Sequence, residues 1–390
     1  MIHFRFSKCA WSLLIASLLS ASAVIAQDST APKKKGYPEG MFKDTLDGKL
    51  DFSRFLLEMK GFLPIPMIIT EPAVGGFGGV LALAFLSPKK VPPGKSYVAP
   101  DITIGFGMYT ANNSWMAGGG RIGSFPKAGI KYRAFAGFGS LNLDFYRDLP
   151  QLGEKKFGFN IKAIPLLLSM SKSLGKSDVY LGLQYSLGKI DLTPKFLDQH
   201  PEYFPDKDFE SRVAQLAGFV DIDKHDNFFT PNKGYRVNVL FGANDNWTGS
   251  DYEYQKLTSF VTGFYPIKKN WISGIRFDAQ HIFGKAPFYL LPSIDLRGVP
   301  KARYQGVTTA LVETEQRIDF KRRWSAVVFG GLGKAMMDNQ SFGEANLVYN
   351  YGTGFRYLLA RAFGIRAGID VAGGPDSFGW YIVVGHNWTR

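Results

Sequence analysis

The chain has 390 residues, 45% of them hydrophobic and 20% charged, with 33 Phe, 18 Tyr and 7 Trp against a single Cys and a formal charge of +13. That balance is too apolar and aromatic for a disordered or collagen-like polypeptide, and one cysteine excludes a disulfide scaffold or a thiolate-rich zinc or iron–sulfur centre. A mean hydropathy of −0.07 is far from that of a polytopic helical membrane protein, which needs several apolar runs of about 20 residues.

Residues 1–26 read as a secretory signal. Arg5 and Lys8 form its basic start, Ala10 to Leu19 its apolar stretch, and Val24-Ile25-Ala26 a small-residue cleavage site before Gln27. Cys9 lies inside the apolar stretch and not in a lipobox, so the exported chain is expected to lack cysteine. Loss of the signal leaves 44 basic against 33 acidic residues. An exported basic chain meets outer-membrane lipid or lipopolysaccharide sooner than nucleic acid, and no nucleic-acid partner is expected. Residues 27–60 read as a periplasmic leader, solvated over 27–38. It carries one short amphipathic helix, Asp51 to Lys60, capped by Asp51 and ended by Gly61.

From Gly61 to Arg390 there is no linker, low-complexity block or shift of composition, and the hydrophobic period is two. Ile102, Ile104, Phe106 and Met108 alternate with Thr103, Gly105, Gly107 and Tyr109; Ile130, Tyr132, Ala134, Ala136 and Phe138 alternate with a row holding Lys131 and Arg133. Tyr235 to Phe241 and Phe363 to Val371 repeat the pattern. Turn signals divide 61–390 into sixteen segments, many long enough to cross a bilayer as tilted strands. A soluble β-sandwich would also alternate. The long strands, the unbroken domain and the glycine-rich polar rows favour a closed transmembrane barrel, since an open sheet edge in hydrocarbon has no water to bond. The fold class expected is all-β: a 16-stranded antiparallel transmembrane β-barrel spanning 61–390, oily row outward. Its long connections, 190–212 and 283–306, emerge on one side.

Enzyme signals are weak. Five histidines show no metal-ligand spacing, and neither a nucleophile elbow nor a phosphate-binding loop occurs. No catalytic residue, metal or cofactor is expected. A second cluster is more informative: Leu296-Arg297-Gly298-Val299 follows the eleventh segment, and the next segment places Glu313, Glu315, Arg317 and Asp319 on one face. If the loop folds inward, Arg297 reaches Glu315 or Glu313 as a forked ion pair; otherwise it is an ordinary surface arginine beside a solvated acidic row.

The Leu296–Val299 stretch, the Glu315-Gln316-Arg317 strand, the turn from Asp223 through Asp226, Asn227 and Pro231 to Gly234, and the end Val384-Gly385-His386-Asn387-Trp388 together resemble the barrel of the BamA/TamA family of outer-membrane assembly proteins. The resemblance implies sixteen strands in the Gram-negative outer membrane and a sixth extracellular loop folded into the lumen. It puts the family's arginine on Arg297 and its acidic partner on Glu315. It also implies a weakly zipped first/last seam that inserts or translocates client polypeptides, with client or accessory envelope proteins as partners. His225 stands where the family has Arg, and Gly331 where it has an Asp as second carboxylate, so Glu313 substitutes or the pairing is weaker. Residues 27–60 are too few for a POTRA domain. Seam candidates are Pro64 and Pro66, which lack ladder donors, and Gly385 and Trp388 in the last segment. The alternative is a passive channel, or a structural subunit of an envelope complex without insertase activity.

Overall fold

The computed structural model describes residues 40–58, 62–70, 72–87, 89, 101–149, 153–175, 177–195, 209–338 and 340–388. The signal segment, most of the 190–212 connection and the last two residues lie outside them. The described chain forms one antiparallel sheet of sixteen strands in strict sequence order, a nearly closed barrel. The strands are β1 (Phe62–Ile69), β2 (Gly78–Ser87), β3 (Asp101–Thr110), β4 (Trp115–Phe125), β5 (Ile130–Leu149), β6 (Gly153–Ser173), β7 (Val179–Pro194) and β8 (Phe209–Asp223). The second half comprises β9 (Gly234–Asn244), β10 (Tyr254–Lys268), β11 (Trp271–Gly284), β12 (Thr308–Asp319), β13 (Trp324–Met336), β14 (Leu347–Ala360), β15 (Ile365–Gly374) and β16 (Ser377–Val384). The even-to-odd connections, short except for 88–100 and 224–233, lie on one rim, here the turn rim, which also carries the start of β1 and the end of β16.

The single described α-helix, α1, covers Ser53–Glu58, shorter at its start than the sequence suggests. Phe52, not the expected Asp51, holds the cap position, its O accepting the Leu56 N–H at 2.9 Å; Asp51 sits one residue earlier, where its Oδ1 accepts the Ser53 N–H at 2.6 Å.

Alternation sorts the side chains. Tyr235, Phe241, Phe277, Val312, Ile318, Tyr349 and Phe355 are exposed on the outside, while Asp221, Arg276, Glu313, Arg356 and Asp370 on the opposite rows are buried. The outer aromatics suit an apolar belt with aromatic girdles.

One row reverses the sequence reading. The β2–β5 registers put Ile102, Ile104, Phe106 and Met108 on the same face as Ala82, Ala84 and Arg133, and Arg133 interacts with the inward-facing Asp221 and Arg236. The apolar row of β3 therefore faces the lumen, and Tyr109, 58% exposed, stands outside with the glycines. Period two fixes two faces but does not say which faces inward, and here an apolar inner row backs onto a glycine-bearing outer one.

Candidate functional site

The site grows from the connection between β11 and β12. Residues 285–307 fold into the barrel and touch the wall on both flanks. Phe288 packs at 5.1 Å on Phe145 of β5 and at 5.2 Å on Phe159 of β6. Arg303 pairs with Glu154 of β6 at 3.0 Å and donates to Pro375 O between β15 and β16 at 3.0 Å. Ile294, Leu296 and Val299 form a buried cluster with Leu311 of β12 and Val348 of β14. Apolar contacts thus fasten the segment, and its polar tip is carried to the wall between them.

At that tip Arg297 is 6% exposed. Its Nη1 donates to Glu315 Oε2 at 2.7 Å and to Asp370 Oδ2 at 2.8 Å, and its Nε to Glu313 Oε1 at 3.1 Å. The guanidinium lies 3.4 Å from the centre of the Phe329 ring, a cation–π contact. Arg356 grips Asp370 through both Nη atoms, at 2.5 and 2.9 Å, and Arg276 stands 3.6 Å from Glu313. Three arginines thus meet three carboxylates. A buried network of this kind is costly to assemble and costlier to break, because removing one member strands its partners without water.

The sequence brings Leu296 to Val299, Glu313 and Glu315 into view; the structure brings all of them together and adds Asp370. The acid absent at Gly331 of β13 is supplied from β15. At Gly331 a Cβ would fall 2.8 Å from Asn350 Oδ1 and 3.0 Å from Leu296 Cδ2, so that space is already filled. Asn350 instead donates to Arg297 O at 3.0 Å and to Glu313 Oε1 at 3.1 Å. Gly298 has a φ of 84°, and a Cβ there would lie 2.9 Å from the Ala372 carbonyl. Glycine therefore allows the close approach to β15. Its N–H donates to Tyr381 Oη at 2.8 Å, and its carbonyl accepts from Ser377 Oγ at 2.6 Å, tying the loop to β16.

The turn motif forms a second cluster at the turn rim. Asp226 Oδ1 accepts the N–H groups of Asn232 at 2.9 Å and Lys233 at 3.2 Å. Asn227 Oδ1 accepts those of Phe229 at 2.8 Å and Thr230 at 2.9 Å, and its Nδ2 reaches Phe363 O beyond β14 at 2.9 Å. Pro231 is fully buried. Gly234, with a φ of 105°, leaves no room for a Cβ beside Lys224 O. Asp223 holds His225 at 3.2 Å, and the His225 ring packs on Phe264 and His386. The turn therefore folds across the barrel mouth toward β12, β15 and the chain end.

The seam residues separate. Every consecutive pair of strands is laddered, but among the described residues no ladder joins β1 to β16; where they meet, Thr70 Oγ1 donates to Trp380 O. Pro64 and Pro66 lie in β1, which pairs with β2 from Phe62 to Ile69. Gly385 and Trp388 are not in the seam. β16 stops at Val384, Gly385 turns the chain with a φ of 83°, and Trp388, 3% exposed, packs with Phe260, Phe264 and Ile272. Its Nε1 donates to Glu313 Oε2 at 2.6 Å. An indole N–H needs a buried acceptor, and the lumen provides one where the seam offers hydrocarbon. Asp370, Asn350 and Arg356 escaped the sequence reading, and Trp388, expected in the seam, lies in the lumen. The Arg366/Asp370 polar row was the signal that could have found Asp370.

An antiparallel sixteen-stranded barrel, open at one seam and filled by its own loop, defines an outer-membrane-type barrel. It is similar to BamA from Haemophilus ducreyi lacking POTRA domains 1–3, with 13% identity and a TM-score of 0.52 over 83% of this chain and 69% of that one. CdiB from Escherichia coli matches with 10% identity and a TM-score of 0.58 over 82% of this chain and 62% of that one. CdiB from Acinetobacter baumannii matches with 9% identity and a TM-score of 0.56 over 83% of this chain and 59% of that one. No family model and no curated protein matches the sequence. The chain has the barrel fold of BamA and CdiB, and it spans less than two thirds of either CdiB chain.

Proposed function

We propose that this chain is exported to the Gram-negative outer membrane and there assists insertion or translocation of outer-membrane or surface proteins, working with client or accessory envelope proteins through the β1–β16 seam. The observation that carries the reading is the missing ladder between those two strands in a sheet otherwise paired throughout. Each ladder hydrogen bond is worth about 1 kcal/mol net in water, and an unmade one in lipid costs more. A wall that already lacks one row of bonds opens there first, and its free edges are templates for an incoming strand.

Two further features support it. β1 and β16 have eight residues each, against 20 in β5 and 21 in β6, short of the roughly nine to eleven a tilted strand needs to span hydrocarbon. The bilayer beside them must thin, which lowers the cost of inserting a neighbouring strand. The lumen, meanwhile, is occupied by residues 285–307 and the chain end, which favours lateral work at the wall over passive conduction. The reading needs no bond-making chemistry.

The test is a locked seam. Thr70→Cys with Trp380→Cys, oxidised in cells, should lower the outer-membrane levels of other barrel proteins while its own level holds, and reduction should restore them. A lock that forms without changing those levels sinks the proposal and leaves the passive barrel.

A further inference from the structure

Residues 44–53 dock on the barrel. Arg323, in the turn between β12 and β13, is 3% exposed and gathers three aspartates of that segment: Asp44, Asp47 at 2.6 Å and Asp51 at 2.9 Å. Arg361, in the turn between β14 and β15, takes Asp44 at 2.6 Å. Backbone bonds add to this, with Phe52 N donating to Leu359 O at 2.8 Å.

The position of the segment relative to the wall is set by Tyr357. This residue belongs to the outward row of β14, with Phe355 and beside Trp324 at 5.0 Å, and its hydroxyl donates to Leu50 O at 2.8 Å. Residues 44–51 therefore lie against the outer aromatic girdle of the turn rim. Their acids are turned inward onto Arg323 and Arg361, and the opposite side carries Leu46 at 63%, Leu50 at 49% and, on α1, Leu57 at 67% exposure. Lys43 and Lys49 are exposed among these leucines, and Lys321 and Arg322 are exposed on the adjoining turn.

We infer that residues 41–58 and the Lys321–Arg322 turn form an interfacial site for anionic lipid headgroups, with the leucines in the acyl boundary and the four basic side chains on lipid phosphates. Continuity with the girdle puts the leucines at the level where a bilayer passes from tails to headgroups. The charge favours phosphate: the three aspartates are consumed by Arg323 and Arg361, Glu58 by Arg54 at 2.6 Å, and the exposed remainder is cationic. Apolar contact and electrostatic attraction act together, as in amphipathic segments that lie on a membrane. The inference rests on the barrel being embedded in a bilayer and not on its acting on clients.

The experiment uses the full exported chain, whose only native cysteine, Cys9, falls in the signal. Leu46→Cys is labelled with an environment-sensitive dye, and the protein is reconstituted into phosphatidylcholine vesicles with or without phosphatidylglycerol. Heat-modifiable migration on gels reports separately whether the barrel is inserted. With the barrel inserted, emission should shift blue and be quenched by headgroup-level nitroxide lipid when phosphatidylglycerol is present. The combined variant Lys43→Gln, Lys49→Gln, Lys321→Gln and Arg322→Gln should weaken that preference by up to about fivefold per basic residue removed. A probe that reads the same in detergent and in both vesicles overturns the inference, as does quenching indifferent to phosphatidylglycerol and to the four substitutions. A probe shielded only after addition of envelope extract overturns it in favour of an acidic protein partner.

Discussion

Arg297 and Trp388 hold the same carboxylate: Arg297 Nε donates to Glu313 Oε1 at 3.1 Å and Trp388 Nε1 to Glu313 Oε2 at 2.6 Å. The inward loop and the chain end are thereby coupled through one buried acid, 1% exposed, and a change at either is felt at the other.

Arg297→Ala leaves Glu313, Glu315 and Asp370 without their common partner. Breaking a buried pair of this kind costs about 3–5 kcal/mol, so the barrel should reach the membrane but unfold at a lower temperature in detergent. Arg297→Lys should restore little, because a point charge cannot serve three carboxylates and stack on Phe329 at once. An unchanged unfolding temperature for Arg297→Ala would remove the cluster from the stability of the barrel.

Trp388→Phe separates the indole bond from the packing. It keeps ring contacts with Phe264 and loses a hydrogen bond to a charged acceptor, a cost of about 1.5–3 kcal/mol, whereas Trp388→Ala adds a cavity and should cost about 3–5 kcal/mol. Thermal melts of the two variants should rank in that order. Equal melts would show that Trp388 contributes only one of the two.

Gly298→Ala places a methyl group 2.9 Å from the Ala372 carbonyl at a φ of 84°. The loop tip must withdraw from β15, so protease should cut within 285–307 several times faster than in the parent chain while the strands stay protected. Cleavage at the parental rate would mean that the approach to Ala372 is not what seats the loop.

Docking of the segment before β1 should depend on acid. The Arg361 hydrogen bond, the Leu46 N–H and Arg323 together hold the Asp44 carboxyl at about 2, below its ordinary 3.8. A lowered folded value means the stabilisation is complete above the unfolded value and is lost as pH falls through the folded one. Asp47, held low chiefly by its hydrogen bond from Arg323, acts in the same direction. Pepsin should therefore spare Met41 to Glu58 near pH 4 and cut there as pH approaches 2, and Asp44→Asn should open the segment already at neutral pH.

The sixteen strands were legible because a wall one residue thick, with different surroundings on its two faces, imposes a period of two over its whole length. What the period cannot convey is which face is which: the row Ile102 to Met108 is apolar and faces inward, where the inner rows of β2–β4 carry no charged side chain among the described residues. Glu313, Glu315 and Arg297 were legible as a polar row next to a loop. Asp370 was not, because its approach to Arg297 depends on β15 being three strands beyond β12 on a curved wall. Trp388 was misplaced for a different reason. Alternation runs smoothly to the end of the chain, and only the φ of Gly385 reveals that the strand has already stopped.

The two lips of the seam are not held alike. β16 is fastened from within by the Tyr381 and Ser377 bonds to Gly298 and, just past its end, by Trp388 on Glu313, whereas β1 is laddered among the described residues to β2 alone, whose inner row of Val80, Ala82 and Ala84 is apolar. On the function proposed above, β16 would be the door jamb and β1 the leaf: a widening gap would swing one edge of the wall and leave the other in register.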